Sequence, residues 1–108
     1  MQTGDVVLID FPFSDYTASK IRPAVIVNIT KDKYKDVIIC FISSVVSVIK
    51  NDLEIILTPD SVNNLRAVSV LKVYRIATVK NSMIVSVISK LNQDEAEQFK
   101  KLFKSLAE

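Results

Sequence analysis

The sequence predicts a mostly β domain closed by a C-terminal helix, and two patterns carry that prediction. Short β-branched runs, bounded by Gly, Pro or polar turns, recur from residue 6 to residue 88. From Asn92 onward the apolar spacing changes to that of a helix. The 108 residues suit one domain spanning 1–108.

The first run, Val6-Val7-Leu8-Ile9-Asp10-Phe11, lies between Gly4 and Pro12 and reads as a strand. Phe13 to Ile21 is polar and reads as a loop. Pro23 to Ile29 is a second strand, with the proline at its start, where a strand tolerates one. Lys31 to Asp36 is a charged turn. Val37 to Ile42 is unbroken apolar, as expected of a strand buried on both faces. Leu53, Ile55 and Leu57 alternate with Glu54 and Ile56 in a fourth strand. Thr58-Pro59-Asp60-Ser61 opens a loop or short helix. In the extended stretch Val68 to Val79 the alternation changes phase between Val70 and Leu71, which predicts a bulge or barrel corner. Lys80-Asn81-Ser82 turns the chain into a last strand, Met83 to Ile88.

Asn92 then offers an N-cap, with Glu95 three residues on as in a capping box. Ala96, Phe99, Leu102, Phe103 and Leu106 form one apolar helical stripe, expected to lie on the sheet. Short strands with one terminal helix point to a small antiparallel barrel of SH3 type.

Composition excludes several chemistries. The chain has no histidine, so a Ser-His-Asp triad, a Cys-His pair and the usual neutral-pH base are absent. One cysteine, Cys40, sits inside an apolar strand and reads as a core residue; no disulfide framework is possible. A single glycine, Gly4, excludes a glycine-rich phosphate loop. No apolar run is long enough to span a membrane, and residues 1–5 do not resemble a signal peptide; the expectation is a cytoplasmic protein. Apolar residues make up 49 % of the chain, a surplus that a small β domain would bury in a partner interface, most simply a homodimer.

The net charge of +2 is unevenly spread. No acid occurs between Asp60 and Asp94, while Arg66, Lys72, Arg75, Lys80 and Lys90 all fall there. Folding could gather some of these into a basic patch, or leave them as a solvated face.

Arg22 stands out among the candidates for chemistry. Pro23 biases its backbone toward an extended form, and a guanidinium binds phosphate oxygens as a rigid fork. On the residues alone, a surface arginine beside a turn is the plainer reading. Ser43-Ser44, at the end of the third strand, could donate to a phosphate or merely end the strand. Asp10, Asp15 and Tyr16 lie near the first loop, where a carboxylate beside a partly buried arginine could serve as base or orienter.

Taken together, Gly4-Asp5-Val6-Val7-Leu8-Ile9-Asp10-Phe11-Pro12, Arg22-Pro23-Ala24-Val25-Ile26-Val27, Phe41-Ile42-Ser43-Ser44 and the stretch Leu65-Arg66 with Ser69 to Val79 resemble the MazF/PemK toxins of type II toxin–antitoxin systems. The resemblance runs nearly end to end, in the same order. It implies a homodimeric, SH3-like barrel of the CcdB/MazF/PemK type. It implies an endoribonuclease that needs no metal or cofactor, cuts single-stranded RNA selectively by sequence, and leaves 2′,3′-cyclic phosphate and 5′-hydroxyl ends. It also implies a cognate antitoxin. The family's catalytic arginine maps onto Arg22, and its hydroxyl residue, usually threonine, onto Ser43. Asp15, Tyr16, Lys20, Ser44, Lys72 and Arg75 are the expected RNA contacts, with Phe13 or Tyr16 able to stack on a base. The general base is left open between Arg22 itself, Asp15 and a water. Two other readings stand beside this one: a non-catalytic binding module, and a topoisomerase-poisoning toxin of the same fold.

Overall fold

A computed structural model describes residues 1–12, 19–44 and 51–108. Its elements are β1 (Asp5–Pro12), β2 (Ser19–Ile29), β3 (Val37–Ser43), β4 (Glu54–Leu57), β5 (Ser69–Val79), a short 3-10 turn (Asn81–Met83), β6 (Ile84–Lys90) and α1 (Gln93–Ser105). The strands form one antiparallel sheet in the order β4-β5-β3-β2-β1-β6. The mostly β architecture with a terminal helix agrees with the expectation from sequence, and one bent antiparallel sheet is consistent with the small barrel expected.

The central strands bury both faces, so the sheet carries two cores. Val6, Val25, Cys40, Ile42, Ile55, Leu57, Leu71 and Val73 face α1, whose Phe99 completes that cluster. Ala96, Leu102, Phe103 and Leu106 pack around it, as the helical stripe predicts. On the opposite face Val7, Ile9, Ala24, Ile26, Val37, Ile39 and Val79 form a second cluster. Alternation explains the division: Val6 and Val7 adjoin in sequence but point to opposite faces.

The phase change in β5 is real but lies a few residues beyond the predicted point. Between the pairs Cys40↔Ile76 and Ile42↔Leu71, β3 advances two residues and β5 five. This corner lets Leu71 and Val73 face one core and Val79 the other, although all three are odd-numbered. The Cys40 thiol donates to the Val73 carbonyl at 3.3 Å, inside the corner. Burial pushes that thiol up to about 12, so it stays protonated, as a core cysteine should.

One boundary departs from the sequence expectation in a way that affects the site. Strand β2 begins at Ser19, not at Pro23, because Phe11 and Pro12 keep the hairpin paired out to Lys20 and Ser19. Lys20, Ile21 and Arg22 are therefore strand residues rather than loop residues. Pro23 sits within the strand, opposite Leu8. Pairing of β2 with β3 stops at Ala24, so at Pro23 the strand has β1 alone as its ladder partner, the edge-like setting a proline tolerates.

The capping box is present. Asn92 Oδ1 accepts from the Glu95 amide at 2.8 Å, and Glu95 Oε1 accepts from the Asn92 amide at 2.9 Å. The segment after β4 is a turn whose side chains reach this cap. Asn63, fully buried, donates to Thr58 O and Glu95 Oε2 and accepts from the amides of Asp60 and Leu65. Asp60 accepts from the amides of Val62 and Asn63 and, at 2.7 Å, from Asn92 Nδ2.

Candidate active site

Strands β2 and β3 pair up to Ala24↔Phe41 and then separate. Beyond that pair β2 stays with β1, while β3 stays with β5 through Ile42↔Leu71 and Ser43↔Val70. The register of the last pair, carried on by two residues, sets Arg22 opposite Ser43. Both belong to the face of the second core, since Arg22 pairs with Ile9, and Ser43 lies two residues past Phe41, which packs against that core. The two candidates thus fall on the two sides of a split in the sheet.

The split is concave. A cleft of about 330 Å³ is lined by Phe11, Arg22, Phe41, Ile42, Ser43, Lys72 and Arg75. A second, of about 310 Å³, is lined by Lys20, Ile21, Arg22, Pro23, Ile42, Ser43, Ser44 and Ser69. They share Arg22, Ile42 and Ser43, so these three stand at the junction of one longer groove. Among the described residues four cations line the groove and no carboxylate does. Lys72 and Arg75 reach it because the β5 corner falls opposite the end of β3.

Six of the eight predicted site residues are therefore brought together: Arg22, Ser43, Lys20, Ser44, Lys72 and Arg75. Asp15, Tyr16 and Phe13 lie outside the described residues. Asp10 pairs with Ile21 and is not among the residues that line either cleft. The acid-free stretch divides. Lys80 follows Val79, which pairs with Val37 at the far end of β3, and Lys90 pairs with Asp5 at the far end of β1. Arg66 lines a separate apolar trough with Leu8, Pro23, Leu65 and Ile88.

Sequence reasoning missed the two phenylalanines of the wall. Phe11 and Phe41 meet edge to face with ring centroids 5.3 Å apart, at the open end of the second core. Phe41 could have been found, since it is two residues before Ser43 and so shares its face. Phe11 could not, because only the β1–β2 register places it beside the groove.

Among the described residues no group of His, Cys, Asp and Glu is placed to hold a metal. No helix is long and apolar enough to cross a membrane. A family model for the PemK-like, MazF-like toxins of type II toxin–antitoxin systems matches residues 2–106. The chain belongs to this family. No curated protein matches its sequence significantly. As a PemK/MazF-type toxin it has an antitoxin for a partner. The match covers every element from β1 to α1, including both strands that form the split.

Proposed function

We propose that this PemK/MazF-type toxin is a metal-independent endoribonuclease that cuts single-stranded RNA selectively by sequence. The observation that carries the reading is that Arg22 and Ser43 both line a groove whose described charged residues are four cations. A groove of this charge attracts and holds a phosphodiester chain.

In this reading the RNA 2′-hydroxyl oxygen attacks the adjacent phosphorus, and the bond from phosphorus to the 5′-oxygen breaks. The 2′-oxygen loses its proton, and the leaving 5′-oxygen gains one. The products are a 2′,3′-cyclic phosphate and a 5′-hydroxyl. Arg22 offers its guanidinium to the non-bridging oxygens, where negative charge builds in the pentavalent transition state. The Ser43 hydroxyl donates to one of those oxygens or orients the 2′-hydroxyl. Lys72 and Arg75 hold phosphates on one side of the junction, and Lys20 and Ser44 hold them on the other. Phe11 and Phe41 give a nucleobase an apolar wall beside Arg22. Holding the phosphate in line supplies much of the rate without a histidine.

The reading includes a homodimer in the cytoplasm. The trough of Leu8, Pro23, Leu65 and Ile88, about 460 Å³, adjoins the groove at Pro23 and suits an apolar partner surface. The deciding experiment is primer extension on a long unstructured RNA with EDTA present. The expected result is discrete cuts with 5′-hydroxyl ends by the wild type and none by Arg22→Ala. Equal cutting by both proteins, or cutting that EDTA abolishes, would overturn the assignment.

A further inference from the structure

Helix α1 changes charge along its length. Its first turn carries Asp94 and Glu95, and its second half carries Lys100, Lys101 and Lys104. Phe99 and Phe103 share its sheet-facing side, with ring centroids 6.0 Å apart. Beside them, where the end of β2 and the residues before β1 approach the helix, lies a groove of about 160 Å³. It is lined by Thr3, Val27, Phe99, Lys100, Phe103 and Lys104.

The chemistry of this groove differs from that of the Arg22 groove. Its floor is two aromatic rings and a valine. The Thr3 hydroxyl donates to the Val27 carbonyl at 2.8 Å, so that side chain is engaged within the fold. The charged groups at the rim are two ammoniums four residues apart, hence on one face of the helix, and among the described residues no carboxylate lines the groove. A cavity of about 150 Å³ accommodates a benzene-sized group. A single Phe or Leu side chain therefore fits, with carboxylates on either side of it meeting Lys100 and Lys104. A nucleobase would bury its polar edges against walls that offer them little, at a cost in free energy. The site thus favours peptide over RNA.

We propose that this groove is a docking site for an acidic segment of a partner protein, anchored by one Phe- or Leu-sized side chain. The site is separate from the RNA groove: the two share no lining residue. A partner seated here can be held while Arg22 and Ser43 remain open to substrate. The assignment does not depend on the nuclease reading.

The test is a ¹⁵N-¹H NMR titration of the full chain with a capped pentapeptide, Asp-Glu-Phe-Glu-Asp, up to millimolar concentration. Amide shifts are expected at Thr3, at Val27 and along residues 99–104. Replacing the peptide's Phe with Ser, or making the double variant Lys100→Glu/Lys104→Glu, should weaken binding at least tenfold. A Lys100→Gln/Lys104→Gln variant should weaken it less, and the spectra themselves report whether each variant is folded. Absence of shifts at millimolar peptide would overturn the proposal. So would equal binding by the charge-reversed protein, or shifts centred on Arg22 and Ser43 instead. A short single-stranded RNA that shifts the same helix residues would show a nucleic-acid surface and would also overturn it.

Discussion

Two polar clusters of this molecule make a useful contrast. Around Asn63 every group has a complementary partner: amide to carboxylate, amide to carbonyl, carboxylate to backbone N–H. Asn63 is fully buried, and Glu95 is only 7 % exposed. At the Arg22 groove the charged side chains among the described residues are Lys20, Arg22, Lys72 and Arg75, and they line a cavity open to solvent. Buried polar groups that satisfy one another stabilise a fold. Cations gathered around a concave surface suit an anionic ligand. The first cluster is read here as architecture and the second as function.

The largest expected effect tests the second half of that contrast. Arg22→Ala should lower RNA cleavage by about 10²–10³-fold or more while leaving the melting temperature nearly unchanged. Primer extension and thermal unfolding on the same samples check both. Asn63→Ala should do the reverse. It removes two donated and two accepted bonds and deprives a buried carboxylate of a partner. A loss of about 2–3 kcal/mol in denaturant unfolding is expected, with cleavage by the folded fraction unchanged. If Asn63→Ala slowed cleavage without destabilising the fold, the division between the clusters would fail.

Smaller effects sharpen it. Ser43→Ala should lower cleavage by roughly tenfold, the worth of one hydrogen bond at the transition state, and Ser43→Thr should retain activity because the hydroxyl stays. Lys72→Ala should weaken binding to all RNA sequences alike and lower the salt slope by about one, measured by fluorescence anisotropy at several salt concentrations.

The smallest effect is in pH. The Asn63 amide, then the Asn92 side chain, hold the Asp60 carboxyl below its ordinary value against the opposing effect of burial. A carboxyl with a depressed folded pKa contributes stability above its unfolded pKa and loses it as pH falls through the folded one. Stability should therefore fall from about pH 4 downward, and the fall should be shallower in Asp60→Asn. Asp32, held low chiefly by the Thr30 hydroxyl, titrates in the same window, so the slope should shrink rather than vanish.

Local chemistry made much of this legible before any coordinates. Asn92 and Glu95 announced their cap three residues apart, because a capping box is a local motif. The apolar run Val37 to Ile42 announced a strand with buried positions on both faces. Asn63 and Glu54 were not legible. Glu54, within an alternating strand, is only 7 % exposed, and its carboxylate accepts from the Asn51 amide at 2.8 Å. No composition rule signals such a bond.

By itself the sequence determined the number and kind of elements, the helix cap, the absence of histidine chemistry, and Arg22 and Ser43 as residues of interest. Only the tertiary structure decided that Arg22 and Ser43 line one groove and that Lys72 and Arg75 join them there. The reason is physical. Periodicity and capping act over a few residues, whereas facing depends on register between strands distant in the chain. A shift of one residue in that register would carry the side chains of the shifted strand to the opposite face.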